Sequence, residues 1–556
     1  MEGATSEMMW LFCLDHISLF LHDMKSRLPV IFLLCCSTLK SQYNQQARNA
    51  FMQQDIQQAF DYWNIQRPNQ TFHSSFRPYL STSYSDATDS LVPFKFYAFK
   101  NYFLSKTLNE KPEKRNWYNL QIHPIIDASV GYDNIAQRII PELAGGLHVK
   151  TNINDDFTFA VTAIGGKLTN PFFIDTTFAK KFVSPEYGMV YGNNKKGYSF
   201  FDYTGYISYS PHNNKIFNLQ VGRDKHFIGD GYRSVLLSDY APAYPYFRIN
   251  TNIWHIQYNV WYTWMYDIES SAGLKNNFKN KFGTFHYLSY NILKELNVGL
   301  FENIVWRGTD TNQVRTFDAN YLNPVIFFRP QEYAIGSPDN AFLGLNINAK
   351  LFKTLKLYGQ LGLDEFYLKE IRLHRGWWAN KQAWQLGAKY INAFRVKGLS
   401  LQAEYNEVRP YTYSHGLVEQ NYAHYGMPLA HPLGANFREF LGFITYRKKS
   451  WQFSVQGMYA IVGKDSANGH GNIGQNIFLS YVTRSYEYGN RTTQGIKTNL
   501  LQSQLMFTYF IIPDMNLRLE LSYIQRAENN SQGYALQNPY VFLALRSSFW
   551  NSYKDY

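Results

Sequence analysis

Between Val221 and Ile249 the chain reads VGRDKHFIGDGYRSVLLSDYAPAYPYFRI, and many of its chemistry-bearing side chains meet there. Arg223, Asp224, Lys225 and His226 run consecutively, followed by Gly229-Asp230-Gly231 and Arg233-Ser234. A serine near His226 and Asp230 is the raw material of a hydrolytic dyad. The simpler expectation is an ion-paired network of Arg223, Asp224, Asp230 and Arg233, in which Arg233 pairs with Asp230. Such a network would satisfy backbone groups folded away from water. A second polar stretch, Asn421 to Glu439 (NYAHYGMPLAHPLGANFRE), holds His424, Tyr425, His431 and Asn436. Its two histidines lie seven apart, which does not match ordinary ligand spacing, so both are expected to donate hydrogen bonds in an inward loop. Tyr244, Tyr246 and Tyr425, with Arg233 and Asn436, are also the types a sugar wants: flat rings under its C–H faces and forked groups around its hydroxyls. No HExxH, P-loop or Gly-x-Ser-x-Gly pattern occurs. No catalytic residue, metal or cofactor is therefore expected.

The elements that position these stretches read as strands. Gly-Asp-Gly and the spaced Pro242 and Pro245 interrupt a strand that enters through Phe217, Leu219 and Val221. From about Leu120 the pattern has a period of two. Leu399, Leu401, Ala403 and Tyr405 alternate with Ser400, Gln402, Glu404 and Asn406. Leu517, Leu519, Leu521 and Tyr523 alternate with Arg518, Glu520 and Ser522, and Leu355, Leu357, Leu361 and Leu363 face away from Lys356, Gln360 and Asp364. One apolar and one charged face mark a strand between two media. Aromatics make up 18% of the chain, with 44 Tyr and 42 Phe, yet mean hydropathy is −0.36. That pairing suits a barrel whose outer and lumenal residues alternate between aromatic girdles. Trp261 to Trp264, Trp377-Trp378 and Phe549-Trp550 are expected at strand ends. The last strand is expected over Tyr540 to Trp550.

The N-terminus adds a destination. Met24 to Arg27 is basic, Leu28 to Cys36 apolar, and Thr38 to Gln42 polar with Ser41 before the cut. Residues 24–42 thus read as a secretory signal peptide, and 1–23 are expected to be upstream sequence from a start codon set too early. All three cysteines, Cys13, Cys35 and Cys36, precede residue 37, so no disulfide is expected in the mature chain. Gln45 to Trp63 reads as a helix ended by Pro68. It belongs to an N-terminal helical and irregular segment, 43–115, ahead of the barrel at 116–556. The expectation is an all-β transmembrane outer-membrane barrel of about 16–18 antiparallel strands with a short N-terminal helical segment. The net charge of +12 could draw acidic polysaccharide or lipopolysaccharide phosphates, while nucleic acid is not expected because the charge is scattered.

Both polar stretches carry a family likeness. Gly222-Arg223, Phe227 to Gly231 and Leu236-Leu237-Ser238-Asp239-Tyr240-Ala241-Pro242 with Pro245 resemble the GR…WGxG…LLLSxNAxPxP segment of Wzi-type capsule-assembly proteins. Phe227-Ile228, Asp230 and Tyr240 depart from it. Tyr422, Tyr425-Gly426, Ala430-His431, Gly434 and Asn436 resemble that family's YRYxGxxxGHxxGxDS segment, with Asn436 where the family usually has an acid. The resemblance implies a plugged outer-membrane barrel that binds or organises capsular or other surface polysaccharide without catalysis. In that family, helices close the periplasmic mouth. A similar barrel of surface adhesion and gliding, of the RemB kind, and a diffusion porin are the alternatives. The ten side chains Arg223, Asp224, His226, Asp230, Arg233, Tyr244, His424, Tyr425, His431 and Asn436 are the candidates for a ligand site or a lumenal network.

Overall fold

Period-two alternation becomes curvature here, because a sheet with one apolar and one polar face closes on its polar side when lipid lies outside. In this computed structural model residues 48–67, 71–83, 104–106 and 118–556 are described, apart from 154–155, 194, 212–215, 270, 272–273, 311–312, 315–316, 328–338 and 466–470. The expected signal peptide, the upstream segment and the three cysteines lie outside the described residues.

Eighteen antiparallel strands close a barrel. They are β1 (Tyr118–Asp133), β2 (Arg138–Ile153), β3 (Phe157–Leu168), β4 (Gly197–Tyr209), β5 (Phe217–Asp224) and β6 (Tyr244–Ile253). Next come β7 (Ile256–Asp267), β8 (Lys279–Asn291), β9 (Leu296–Arg307), β10 (Asn340–Leu351), β11 (Leu355–Leu363) and β12 (Gln382–Ile391). The last are β13 (Leu399–Val408), β14 (Phe437–Lys448), β15 (Trp451–Lys464), β16 (Ile496–Ile512), β17 (Leu517–Asn530) and β18 (Ala535–Arg546). Pairing runs between sequence neighbours, and β18 returns to β1 from Tyr540↔Asp133 to Arg546↔Asp127.

Leu501, Leu519, Leu521, Leu386 and Phe201 lie exposed on the outer face, while Glu404, Asn406, Lys356 and Gln385 are buried inside. This inversion of the soluble pattern gives an apolar belt that hydrocarbon, not water, must cover. One end of the barrel has short turns, such as 254–255 and 449–450. The other carries the long connections 225–243, 308–339, 364–381, 409–436 and 465–495.

Three details depart from the sequence reading. The helix is α1 (Gln54–Gln66), not Gln45–Trp63, because Asn49 bridges Leu80 and the Ala50 amide donates to the Tyr79 carbonyl. Tertiary pairing there outweighs helix propensity. Trp261 is fully buried against Phe76 and His226 instead of sitting in a girdle. The last strand ends at Arg546, and Ser547 to Tyr556 turn into the lumen, where Phe549 stacks on Phe51 with centroids 4.2 Å apart.

Candidate functional site

Four segments meet inside the barrel. The N-terminal segment with α1 comes from the short-turn end, where Asp61 of α1 pairs with Lys389 (2.6 Å) and Tyr62 accepts from Asn392. The 225–243 and 409–436 connections fold in from the long-loop end, and the C-terminal tail joins them.

Asp230 is held by the first of these. Ser74 and Ser75 donate to it at 2.7 and 2.5 Å, Asn348 at 2.9 Å, and the Lys356 ammonium of β11 lies at 2.5 Å. Burial alone would raise its pKa, but Lys356 and the two serine hydroxyls hold it well below the usual carboxylate range. Arg77 donates to the Gly229 and Gly231 carbonyls and lies 3.7 Å from the Phe227 ring centroid. Phe76-Arg77 pair antiparallel with Phe227-Ile228. Gly229 has φ +131°, and a Cβ there would meet the Gln360 side chain at 2.4 Å, so the close approach requires glycine.

Arg233 does not pair with Asp230. Its guanidinium reaches the Asp555 carboxylate at 3.2 Å and Glu439 at 3.5 Å, and Glu439 accepts from His431 Nε2 at 2.7 Å. The two polar stretches are thus joined through Glu439. The Tyr232 and Arg233 amides donate to Glu404 at 2.8 and 3.0 Å. Tyr422 and Tyr413 hydroxyls donate to the Leu236 and Val235 carbonyls, tying the stretches together again. The hydrolytic dyad does not form: Ser234 Oγ donates to the Ile228 carbonyl (2.6 Å), while His226 Nδ1 hydrogen-bonds Tyr244 (3.3 Å). Burial and nearby Arg248 push His226 far below its ordinary pKa.

His424 Nδ1 accepts from the Tyr266 amide (3.1 Å). Burial first, then Lys281 and Arg223, hold its pKa down to about 3. Tyr425 packs against Tyr266 and Phe278. Asn436 adopts φ +58°, which asparagine tolerates. Its amide clamps Gly463, Thr493 and Gln494. Arg223 and Asp224 stand at the end of β5, Arg223 paired with Asp202 (2.8 Å). Of the ten candidates, Asp230 and Arg233 anchor two separate networks and His431 joins the second. His226 and Tyr244 pair with each other, His424 packs edge-on against Tyr244 with centroids 5.9 Å apart and against Tyr425 at 4.5 Å, and Arg223, Asp224 and Asn436 stand apart from these.

Sequence reasoning missed Lys356, Glu404 and Glu439 as partners, although Lys356 and Glu404 occupy the polar parity of their strands; Glu439 shares its face with Phe437, Leu441 and Phe443. Ser74, Ser75 and Asp555 carried no signal.

The long-loop end shows a different arrangement. The 364–381 and 478–490 connections interlock through the Trp378 amide to the Glu487 carbonyl and the Gly489 amide to the Arg375 carbonyl. Trp377 and Trp378 indoles both donate to Glu487 at 3.0 Å, and Arg484 donates to the same carboxylate at 2.9 Å. Arg375 lies 4.7 Å from the Tyr488 ring centroid, and Arg484 lies 4.4 Å from that of Trp378. Tyr367, Tyr486 and Tyr488 remain 53%, 60% and 45% exposed. Fixed indoles and guanidinium groups beneath exposed phenol rings form a platform.

The fold is that of an outer-membrane β-barrel. Neither a protein-family model nor a curated relative matches the chain. The solved structure of Wzi from Escherichia coli, described as an outer membrane protein involved in group 1 capsule assembly and a carbohydrate-binding β-barrel, is similar with a TM-score of 0.55. The identity is 11%, over 89% of this chain and 98% of Wzi. OprD of Pseudomonas aeruginosa gives a TM-score of 0.41 at 11% identity, over 77% of this chain and 94% of OprD. OccAB4 of Acinetobacter baumannii gives 0.40 at 11%, over 78% and 99%. At such identities the likeness concerns the fold.

Proposed function

We propose that this chain is an outer-membrane protein that binds and organises surface polysaccharide, with no catalytic step. Its short-turn end then faces the periplasm and its long loops face out, the usual orientation of such barrels. The observation that carries the reading is the outward platform of Tyr367, Trp377, Tyr486 and Tyr488 with Arg375 and Arg484. Exposed rings beside fixed forked donors fit sugar faces and hydroxyls, and the guanidinium groups add attraction for an acidic polymer. The packed lumen weighs against a diffusion pore, because α1, the two polar stretches and the tail occupy it. The carbohydrate binding described for Wzi supports the same class by analogy of fold. Lipopolysaccharide is the surrounding lipid partner, and capsule attachment is the role that a shallow, repeated contact serves best.

The test is retention of cell-bound polysaccharide in a deletion strain complemented with wild type or with Tyr486→Ala/Tyr488→Ala. Loss with the variant, at unchanged barrel assembly, supports the reading. A deletion that leaves polysaccharide attached but abolishes adhesion or movement supports the RemB-like alternative. Large, steady ohmic conductance of the purified protein supports the porin.

A further inference from the structure

The barrel wall loses its ladder beside Gly205. β4 pairs with β5 from Tyr209↔Leu219 to Gly205↔Arg223 and no further. From Phe200 onward that edge is taken by Gly188–Asn193, beginning at Val190↔Phe200. Among the described residues, no strand pairs with Phe201 to Thr204 on this side, and β5 leaves the wall after Asp224. Unpaired backbone against hydrocarbon has no solvent to satisfy it. Arg223 compensates: its guanidinium donates to the Tyr203 carbonyl and to Asp202 (2.8 Å), and lies 4.8 Å from the Tyr203 ring centroid. A side-chain bridge therefore closes the wall where a ladder would otherwise do so. A side chain can swing on one rotamer change, whereas a ladder cannot.

Directly inside lies a cavity of about 130 Å³, part of it open to solvent. Asp202, Tyr203 and Thr204 of the unpaired stretch line it, and plug residues close its lumenal side. Phe51, stacked on the buried Phe549, lines it with an apolar ring. Asn49, Asn551, Asp224 and Glu186 offer amides and carboxylates around that ring. A ring beside hydroxyl-binding groups matches a pyranose. Outside, Phe201, Tyr203 and Val221 are each more than half exposed beside the break, a bed for an acyl chain.

We propose that this break is a lateral portal and that the cavity takes the sugar headgroup of a membrane-anchored glycolipid. The lipid chain stays against the outer belt, and the Arg223–Asp202 bridge is the gate. The site is separate from the platform, and its test does not involve the polysaccharide.

The full chain, purified in a polyoxyethylene detergent, is offered dodecyl maltoside, maltose or dodecylphosphocholine, and retained ligand is read by native mass spectrometry. One dodecyl maltoside per barrel should be retained, about tenfold above either control. Ala160→Trp, which fills the cavity from β3, should remove that excess in barrels that keep their folded gel mobility; Thr162→Phe serves if Ala160→Trp does not fold. Arg223→Ala should speed exchange of dodecyl maltoside. Equal retention of maltose overturns lateral access by a lipid-anchored ligand, and equal retention of dodecylphosphocholine overturns sugar recognition. Undiminished retention in the folded cavity-filling variant, or no retention by wild type, overturns the site. Unchanged exchange in Arg223→Ala overturns the gate.

Discussion

The lumenal plug and the long-loop platform are built from the same residue types and use them in opposite ways. In the plug, tyrosine hydroxyls are tied to His226 and to the Val235 and Leu236 carbonyls, and their rings are buried. On the platform the rings of Tyr367, Tyr486 and Tyr488 meet solvent, with Arg375 beside one of them. The cause is desolvation. A buried charge or hydroxyl is costly unless paired, so the plug selects residues that complete one another. The platform has water as a partner for every polar group and keeps its rings free. The conspicuous polar stretches thus mark what must be satisfied inside, and the proposed ligand surface is made of residues with no motif.

The largest effect that can break this contrast is at Asp230. Asp230→Ala leaves the buried Lys356 ammonium with the neutral Ser74 hydroxyl at 2.9 Å and, as a charged partner, the more distant Asp61 at 3.4 Å. Removing one member of a buried pair costs about 3–5 kcal/mol. Urea unfolding of the reconstituted barrel should show that loss, with polysaccharide binding per folded molecule unchanged. If stability holds and binding falls, the plug is the ligand site.

Next is the wall itself. Leu519→Arg should cost about 2–4 kcal/mol if it lies near the bilayer midplane. In a water-filled lumen the neighbouring Glu520→Gln would cost far less. Glu520 instead accepts from Arg518 at 2.6 Å and lies 3.5 Å from Arg546, which also pairs with Glu142 at 3.0 Å. Breaking that buried network should cost about as much as Leu519→Arg. The same unfolding experiment checks both, and a silent Glu520→Gln would restore the wet lumen.

That difference shows where the sequence was legible. Alternation at Leu399–Asn406 and Leu517–Tyr523 identified strands and their apolar face, because period two is local, while the barrel rested on the signal segment and the abundant aromatics as well. The breaks at Gly229-Asp230-Gly231 and Pro242 were legible as points where the ladder stops. Which charge meets which was not: Arg233 finds Asp555 across 322 residues and Asp230 finds Ser74 across 156. Such pairs follow from barrel circumference and register, which no short stretch encodes. The platform was illegible for another reason, since Tyr367 and Tyr486 resemble every other tyrosine until two loops interlock.

A third effect separates the regions by pH. Burial, then His255, lowers His73 to about 4, and His424 sits at about 3. A released plug would bind protons below the ordinary histidine pKa of about 6.5, whereas the packed plug refuses them. The packed state therefore loses about 1.4 kcal/mol per pH unit per histidine as pH falls from about 6.5 towards those values. Conductance in a planar bilayer should be near zero at pH 7.5 and rise below about pH 5. A flat profile would mean that these histidines stay packed when the plug moves.

The smallest free-energy effect lies on the platform and has the largest consequence on the cell. Tyr486→Ala removes a ring whose loss exposes no buried group, so stability should change by less than about 0.5 kcal/mol. Each sugar contact is weak, and Tyr488 with Arg375 adds a cation–π term of about 0.5–1 kcal/mol for an exposed pair. One substitution should therefore weaken binding of a short oligosaccharide only about two- to fivefold. A long polymer engages many barrels at once, so small losses multiply across contacts. Tyr367→Ala/Tyr486→Ala/Tyr488→Ala should release polysaccharide from cells while plug and barrel unfold as in wild type. Raising salt should weaken binding further if Arg375 and Arg484 meet acidic groups, since exposed charges are screened beyond about 8–10 Å. The decisive comparison is oligosaccharide against polymer. Equal losses for both would mean one deep site, which belongs to the plug, whereas a disproportionate loss for the polymer is the signature of a shallow, repeated surface.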